Sequence, residues 1–208
     1  MFSLQTMFGK GDKFYGLLEA SADAARQSAA ALVAQVGRKA SASLEDFSLA
    51  RRREKDLAAQ ISEELVNSFV TALDREDIEA LSSALYKIPK TVEKFAERYA
   101  IVGERLQGID FLPRAELLLK AAEVVVQMVG QLRDGLRIDR MKKLQDQLQA
   151  IESEADRLLL EPYRNLYATA TDPMRAMLAK DLFELLEKAV DRCRDVGNVV
   201  YATVLKHS

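Results

Sequence analysis

Residues 141–158 read MKKLQDQLQAIESEADRL. Met141, Leu144, Leu148, Ile151, Ala155 and Leu158 recur at steps of 3, 4, 3, 4 and 3. That spacing puts one apolar stripe along one face of a long helix, the pattern of helices packed nearly parallel or antiparallel to their neighbours. A strand would need period-2 alternation, which the chain shows over no useful length. The rest of the sequence agrees. Only 4 prolines and 9 glycines punctuate 208 residues, and good helix formers dominate.

Six helices are predicted. The first covers about 11–38, with Gly37 near its end, and the second about 44–71. Ser43 opens the second with Asp46 three positions on, the spacing of a capping box. The third runs from an Asp74 N-cap to about 107, with Asp77 in its first turn and Pro89 inside it, where a bend is expected. The fourth covers about 111–134, with Gly135 as its C′ residue. It is apolar on several faces, through Leu117-Leu118-Leu119 and Val124-Val125-Val126, so it should be covered on most sides. The fifth covers about 138–168, with a bend expected at Pro162. The sixth starts at Asp172-Pro173, an N-cap followed by proline at the first helical position, and continues nearly to the end. Long helices joined by short loops make antiparallel bundles.

The order also repeats. A shift of 100 lays Arg53-Glu54-Lys55-Asp56-Leu57 on Ser153-Glu154-Ala155-Asp156-Arg157, and a shift of 101 lays Leu85–Lys90 on Leu186–Asp191. The expected architecture is a single all-α domain over 1–208, built from two three-helix repeats, 1–108 and 109–208.

Composition narrows the function classes. The chain is 49% hydrophobic and 30% charged, with a formal net charge of −2. That balance does not suit a nucleic-acid surface. The single cysteine, Cys193, rules out an internal disulfide and a cysteine-built zinc site. No stretch approaches the ~18 apolar residues of a membrane span, and the N-terminus lacks a signal-peptide pattern, so a cytoplasmic protein is expected. The only histidine is His207. Di-iron bundles built on Glu-x-x-His and His-dependent nucleophile pairs therefore lack their parts, and no catalytic residue is assigned.

Carboxylates carry the remaining signal. Glu152 and Asp156 stand one turn apart beside the stripe positions Ile151 and Ala155. Glu187, Asp191 and Asp195 form a column on the sixth helix beside Leu186 and Val190. Like charges at i, i+4 repel by a few tenths of a kcal/mol. If the fifth and sixth helices are antiparallel neighbours, the two columns can face each other and offer oxygen ligands to a hard cation. A solvated acidic face, offset by Arg157, Lys188, Arg192 and Arg194, explains the same residues without a metal.

Several stretches resemble the PhoU-like family, within it the branch of phosphate transport regulators known as Pit accessory proteins. They are FGKGDKFYGLLEASA at the start, FVTALDREDIEALSSAL, IESEADRL, and LLEKAVDRCRDVGNVVYATVLK near the end, and together they cover essentially the whole chain. The resemblance implies two three-helix bundles. It implies a cytoplasmic regulator, at or near the inner membrane, of a Pit-type phosphate transporter. It also implies E-x-x-x-D motifs able to bind metal, often iron or zinc. Residue by residue, those motifs are Glu152…Asp156 and Glu187…Asp191, with Asp195 one turn further.

The first half departs from the motif. Arg52 stands opposite Glu152, Tyr86 opposite Glu187 and Lys90 opposite Asp191, and only Asp56 keeps its counterpart, Asp156. Arg52 and Lys90 are expected to pair with Asp56 and neighbouring acids, leaving at most one metal site, in the second half. The competing expectation is a helical interaction module in which both acidic sites are vestigial, with no phosphate-specific role. No nucleic-acid partner is expected, and the large helical surfaces leave room for a homo-oligomer.

Overall fold

A computed structural model describes residues 4–37, 43–135, 137–169 and 172–207, with side chains described from 13 onward apart from 159–169. Among the described residues the chain is all-α. Its helices are α1 (Leu4–Val36), α2 (Leu44–Asn67), α3 (Arg75–Val102), α4 (Leu112–Gln131), α5 (Ile138–Thr169) and α6 (Pro173–Lys206), with a short 3-10 turn over Gly103–Leu106. The fold class read from the sequence is the one observed.

Packing follows the apolar spacing. On α3, Ile78, Leu81, Leu85, Ile88, Val92 and Phe95 repeat the 3,4 step and are all buried. On α4 the buried positions come in adjacent pairs, from Leu117-Leu118 to Met128-Val129. Paired burial means two covered faces, and α4 indeed packs against α1, α5 and α6. Within each half the three helices touch one another, and the halves join through α1 against α4 and α3 against α6. The outer helices α2 and α5 touch only the helices of their own half. One continuous apolar core results.

An aromatic joint ties the halves. Phe95 and Tyr99 of α3 stack with ring centroids 5.7 Å apart. Phe111, just before α4, meets Phe95 edge-on at 5.7 Å and Phe183 of α6 at 4.8 Å. The Arg114 guanidinium lies 4.4 Å over the Phe183 ring and donates to the Leu158 carbonyl of α5.

Helix ends obey local chemistry, with three departures. The Asp46 carboxylate accepts the Ser43 N–H at 2.7 Å, and the Asp172 carboxylate accepts the Arg175 N–H at 3.1 Å, so both expected caps form. Asp74 precedes α3 as expected, but its carboxylate makes no capping bond and instead meets Lys206 at 2.5 Å. Helix α2 stops at Asn67, not near 71, because Arg75 reaches back and donates to the Leu65 and Ser68 carbonyls, satisfying acceptors that a further turn would have used. Gly135 does adopt a positive φ of 99°, but in the turn beyond α4, whose C-cap is Leu132. Pro89 is buried inside α3, whereas the side chain of Pro162 lies outside the described residues.

Candidate functional site

Helices α5 and α6 pack together, which sets Asp156 within charge range of Glu187 and Asp191 and links Glu152 to Asp191 through Arg194, while Asp195 pairs with Arg192 on its own helix. The contact is close because Gly197 sits where α5 approaches. A Cβ there would lie 2.5 Å from Leu148 Cδ2 and 2.9 Å from Gln145 Oε1. Next to it, the buried Gln145 amide donates to Asn198 at 2.7 Å.

Charges along this seam feel one another. Partial burial pushes the Glu187 carboxyl above the usual range, and Asp191, Asp156 and Glu184 push the same way. Burial also raises Asp191, with Asp156 and Asp195 adding to it while Arg194 opposes. Asp156 on α5 and Glu187 and Asp191 on α6 are thus within electrostatic reach of one another, but no three ligand atoms among the five expected residues lie within 4.8 Å of one another.

Arginines answer much of that charge. Arg194 donates to Glu152 across the helix pair and lies 3.2 Å from Asp191 on its own helix. Arg192 holds Asp195 at 2.6 Å. Glu187 and Asp156 have no such partner among the described residues. The donor set is all oxygen, which suits a hard cation. Arg194 stands between two of the donors, so a metal ion on Glu152 and Asp191 would take the place of that guanidinium.

Among the described residues, three potential ligand atoms within 4.8 Å of one another occur at Asp74, Asp77 and His207. His207 Nε2 lies 3.3 Å from Asp77. Lys206 Nζ already lies between the carboxylates, 2.5 Å from Asp74 and 3.3 Å from Asp77. Lys206 holds the Asp74 carboxyl below its usual range. This exposed cluster clasps the end of α6 to the start of α3. The sequence reading placed Asp77 at the start of α3 and His207 at the chain end without joining them.

The corresponding place in the first half holds no open carboxylate pair. The expected Arg52–Asp56 pairing is absent, both side chains being exposed, and Lys90 does not reach Asp56. Arg51, the neighbour on the inner face, does the neutralising. Its guanidinium lies 3.7 Å over the Tyr86 ring, donates to the Tyr86 hydroxyl and reaches Glu93 at 3.7 Å. Lys90 approaches the same ring at 5.9 Å. The cation fixed here is Arg51, which meets Tyr86 and Glu93 rather than Asp56.

Glu54 is the residue that sequence reasoning missed. Its side chain is fully buried between α2 and α1, where the Ser21 hydroxyl donates to it and its second oxygen has no partner. Burial pushes its carboxyl up to about 7, against smaller opposing effects of Ser21, Arg51 and Arg53. The signal was available: Phe47, Glu54, Leu57 and Ile61 lie on one helical stripe, so an acid stood among core positions. Cys193 is also buried, and burial raises its thiol far above the range of a reactive cysteine.

No protein-family profile matches the chain. Among curated proteins, UPF0111 protein YkaA of Bacillus subtilis (strain 168) is 23% identical over 151 residues, 70% of this chain and 70% of its own length. The "Putative pit accessory protein" of Rhizobium meliloti (strain 1021) is 24% identical over 149 residues, 67% of each chain. Two solved structures of PhoU-like proteins from Shewanella oneidensis MR-1 superpose with a TM-score of 0.77 over 93% of this chain and 99% of theirs, at 21% and 20% identity. No helix among the described residues is long and apolar enough to cross a membrane. By its architecture, the chain has the fold of the PhoU-like proteins.

Proposed function

We propose that this chain regulates inorganic phosphate transport as an accessory protein, acting by protein–protein contact at the cytoplasmic face of a Pit-type transporter rather than by catalysis. The observation that carries the reading is the match to a pit accessory protein across two thirds of both sequences, on a fold shared with PhoU-like proteins. Deleting the gene and measuring uptake of labelled phosphate tests it. A change in uptake that the wild-type gene restores is the expected result. Unchanged uptake at both low and high external phosphate would count against it.

The same reading assigns a metal ion to the α5–α6 seam, held by Glu152, Asp156, Glu187, Asp191 and Asp195. A hard cation there would bring α5 and α6 under one charge and could report metal status to the partner. Iron or zinc comes from the family resemblance; the all-oxygen donor set favours iron of the two. One observation favours a second reading. Arg194 already joins Glu152 to Asp191, so the seam can also serve as an ion-pair network in a plain helical interaction module. Elemental analysis of protein purified without chelator separates the two. Copurifying metal that is lost in a Glu187→Ala, Asp191→Ala variant supports the metal site, and metal-free protein supports the module.

A further inference from the structure

The end of α2 and the loop that follows it present three apolar side chains to water. Val66 is 84% exposed, Phe69 100% and Val70 56%. This segment is not held by packing of those side chains, yet it is held. Arg75 donates to the carbonyls of Leu65 and Ser68. The Ser68 hydroxyl donates to Glu64 at 3.2 Å, and Glu64 is tied to α1 by Lys13. The Thr71 hydroxyl donates to the Leu73 carbonyl at 2.6 Å. Ser68 and Leu73 are buried and anchor the loop from below. The carbonyls of Leu65, Ser68 and Leu73 are thus paired around the loop, while its apolar groups face outward. A rigid display of this kind lowers the ordering cost of binding. An exposed aromatic on it is the usual anchor of a protein interface.

The rim decides what receives it. Residues 63–79 carry Glu63, Glu64, Asp74, Glu76, Asp77 and Glu79 against one cation, Arg75. Lys13 answers Glu64, and Lys206 answers Asp74 and Asp77. Glu63, Glu76 and Glu79 are exposed. Such a rim is repelled by anionic lipid headgroups, so a bilayer is a poor receptor. It complements an apolar pocket bordered by Lys and Arg. The cytoplasmic loops of membrane proteins are enriched in those cations. We propose that the Val66–Phe69–Val70 loop is the peg by which this chain docks into an apolar, Lys/Arg-rimmed pocket on the cytoplasmic side of the phosphate transporter. This rests on the functional reading above and names the surface it uses.

The test is co-flotation of the purified chain with vesicles that hold the Pit-type transporter of the same organism. Empty vesicles rich in phosphatidylglycerol run in parallel. Wild-type protein is expected to float with the transporter vesicles only. Phe69→Ser should lose tenfold or more in affinity, and Glu63→Lys with Glu76→Lys should lose a comparable factor, most at low salt. Ile101→Ser, exposed at the other end of α3, should bind as wild type. Because Phe69 is fully exposed, its variant should keep the wild-type melting temperature. If wild type binds and Phe69→Ser binds equally, the peg is overturned while the regulatory reading stands. Phe69-dependent flotation with empty vesicles, or a Phe69-dependent dimer without transporter binding, also overturns it. If wild type fails to bind the transporter at all, both readings fall together.

Discussion

Glu54 of α2 is met by the Ser21 hydroxyl of α1 inside a fully buried interface, and its other oxygen meets no partner. A buried carboxyl of this kind prefers to be neutral, and its pKa rises to about 7. In the unfolded chain it returns to the ordinary glutamate range, so between about 4.5 and 7 the folded state holds the proton more tightly. Stability linked to this proton is therefore greatest in acid and falls as pH rises through that window. The loss above it is roughly 3 kcal/mol at most, at 1.36 kcal/mol per tenfold in proton affinity.

Glu54→Gln keeps the shape and removes the charge. The variant should melt above wild type at pH 8 and together with it near pH 4.5. Thermal scans across pH measure this directly. Parallel curves for the two proteins at every pH would show that Glu54 is ionised without penalty.

Arg194 offers a second handle, because it neutralises Glu152 and Asp191 where a metal would sit. Arg194→Gln leaves both carboxylates uncompensated beside Asp156 and Glu187. Without metal, the variant should be less stable than wild type at neutral pH and recover as Glu187 and Asp191 protonate in acid. Added iron, zinc or manganese should then stabilise the variant more than wild type; the variant's own gain is about 2.7 kcal/mol when free metal stands at one hundred times its dissociation constant. No metal-dependent shift in either protein would leave the seam an ion-pair network.

The helices were legible because stripes such as Met141–Leu158 and Ile78–Phe95 repeat at helical spacing, and because Asp172-Pro173 and Ser43…Asp46 are local caps. The acidic columns were legible for the same reason: i, i+4 spacing fixes which side chains share a face. What failed depended on distant pairs. Arg52 does not pair with Asp56, whereas Arg51 faces Tyr86 and Glu93, a choice between neighbours that the rotation of α2 against α3 decides. Asp74 gave up its cap to Lys206, which lies 132 residues later in the chain. Arg75 ended α2 by reaching back across a loop, and no spacing rule carries that contact.

The aromatic joint yields a third prediction. Phe183 is buried beneath Arg114 and against Phe111, which carries the contact on to Phe95 and Tyr99 of the first half. Phe183→Ala should cost about 3–5 kcal/mol through lost burial and a cavity. It also strands the Arg114 guanidinium without its ring. Denaturant unfolding should show a lower midpoint. A cost near that of a surface substitution would mean that the halves do not depend on this joint.

Gly197 supplies the last prediction, because it sets how closely α5 approaches α6 beside the acidic seam. Alanine there gains up to about 1 kcal/mol in helix propensity. Its Cβ must displace the ends of the Leu148 and Gln145 side chains, which are flexible, so the two effects nearly offset. Valine adds two methyl groups into the same space, with Met128 3.5 Å behind, and has no such compensation. Overpacking of this size costs about 1–3 kcal/mol. It should also break the Gln145–Asn198 bond and move Asp195 and Asp191 away from Glu152 and Asp156. Gly197→Ala should therefore stay near wild-type stability while Gly197→Val loses both stability and any metal-dependent shift. A valine variant as stable as wild type would show that the helix pair has slack at this point, and the seam geometry would not depend on Gly197.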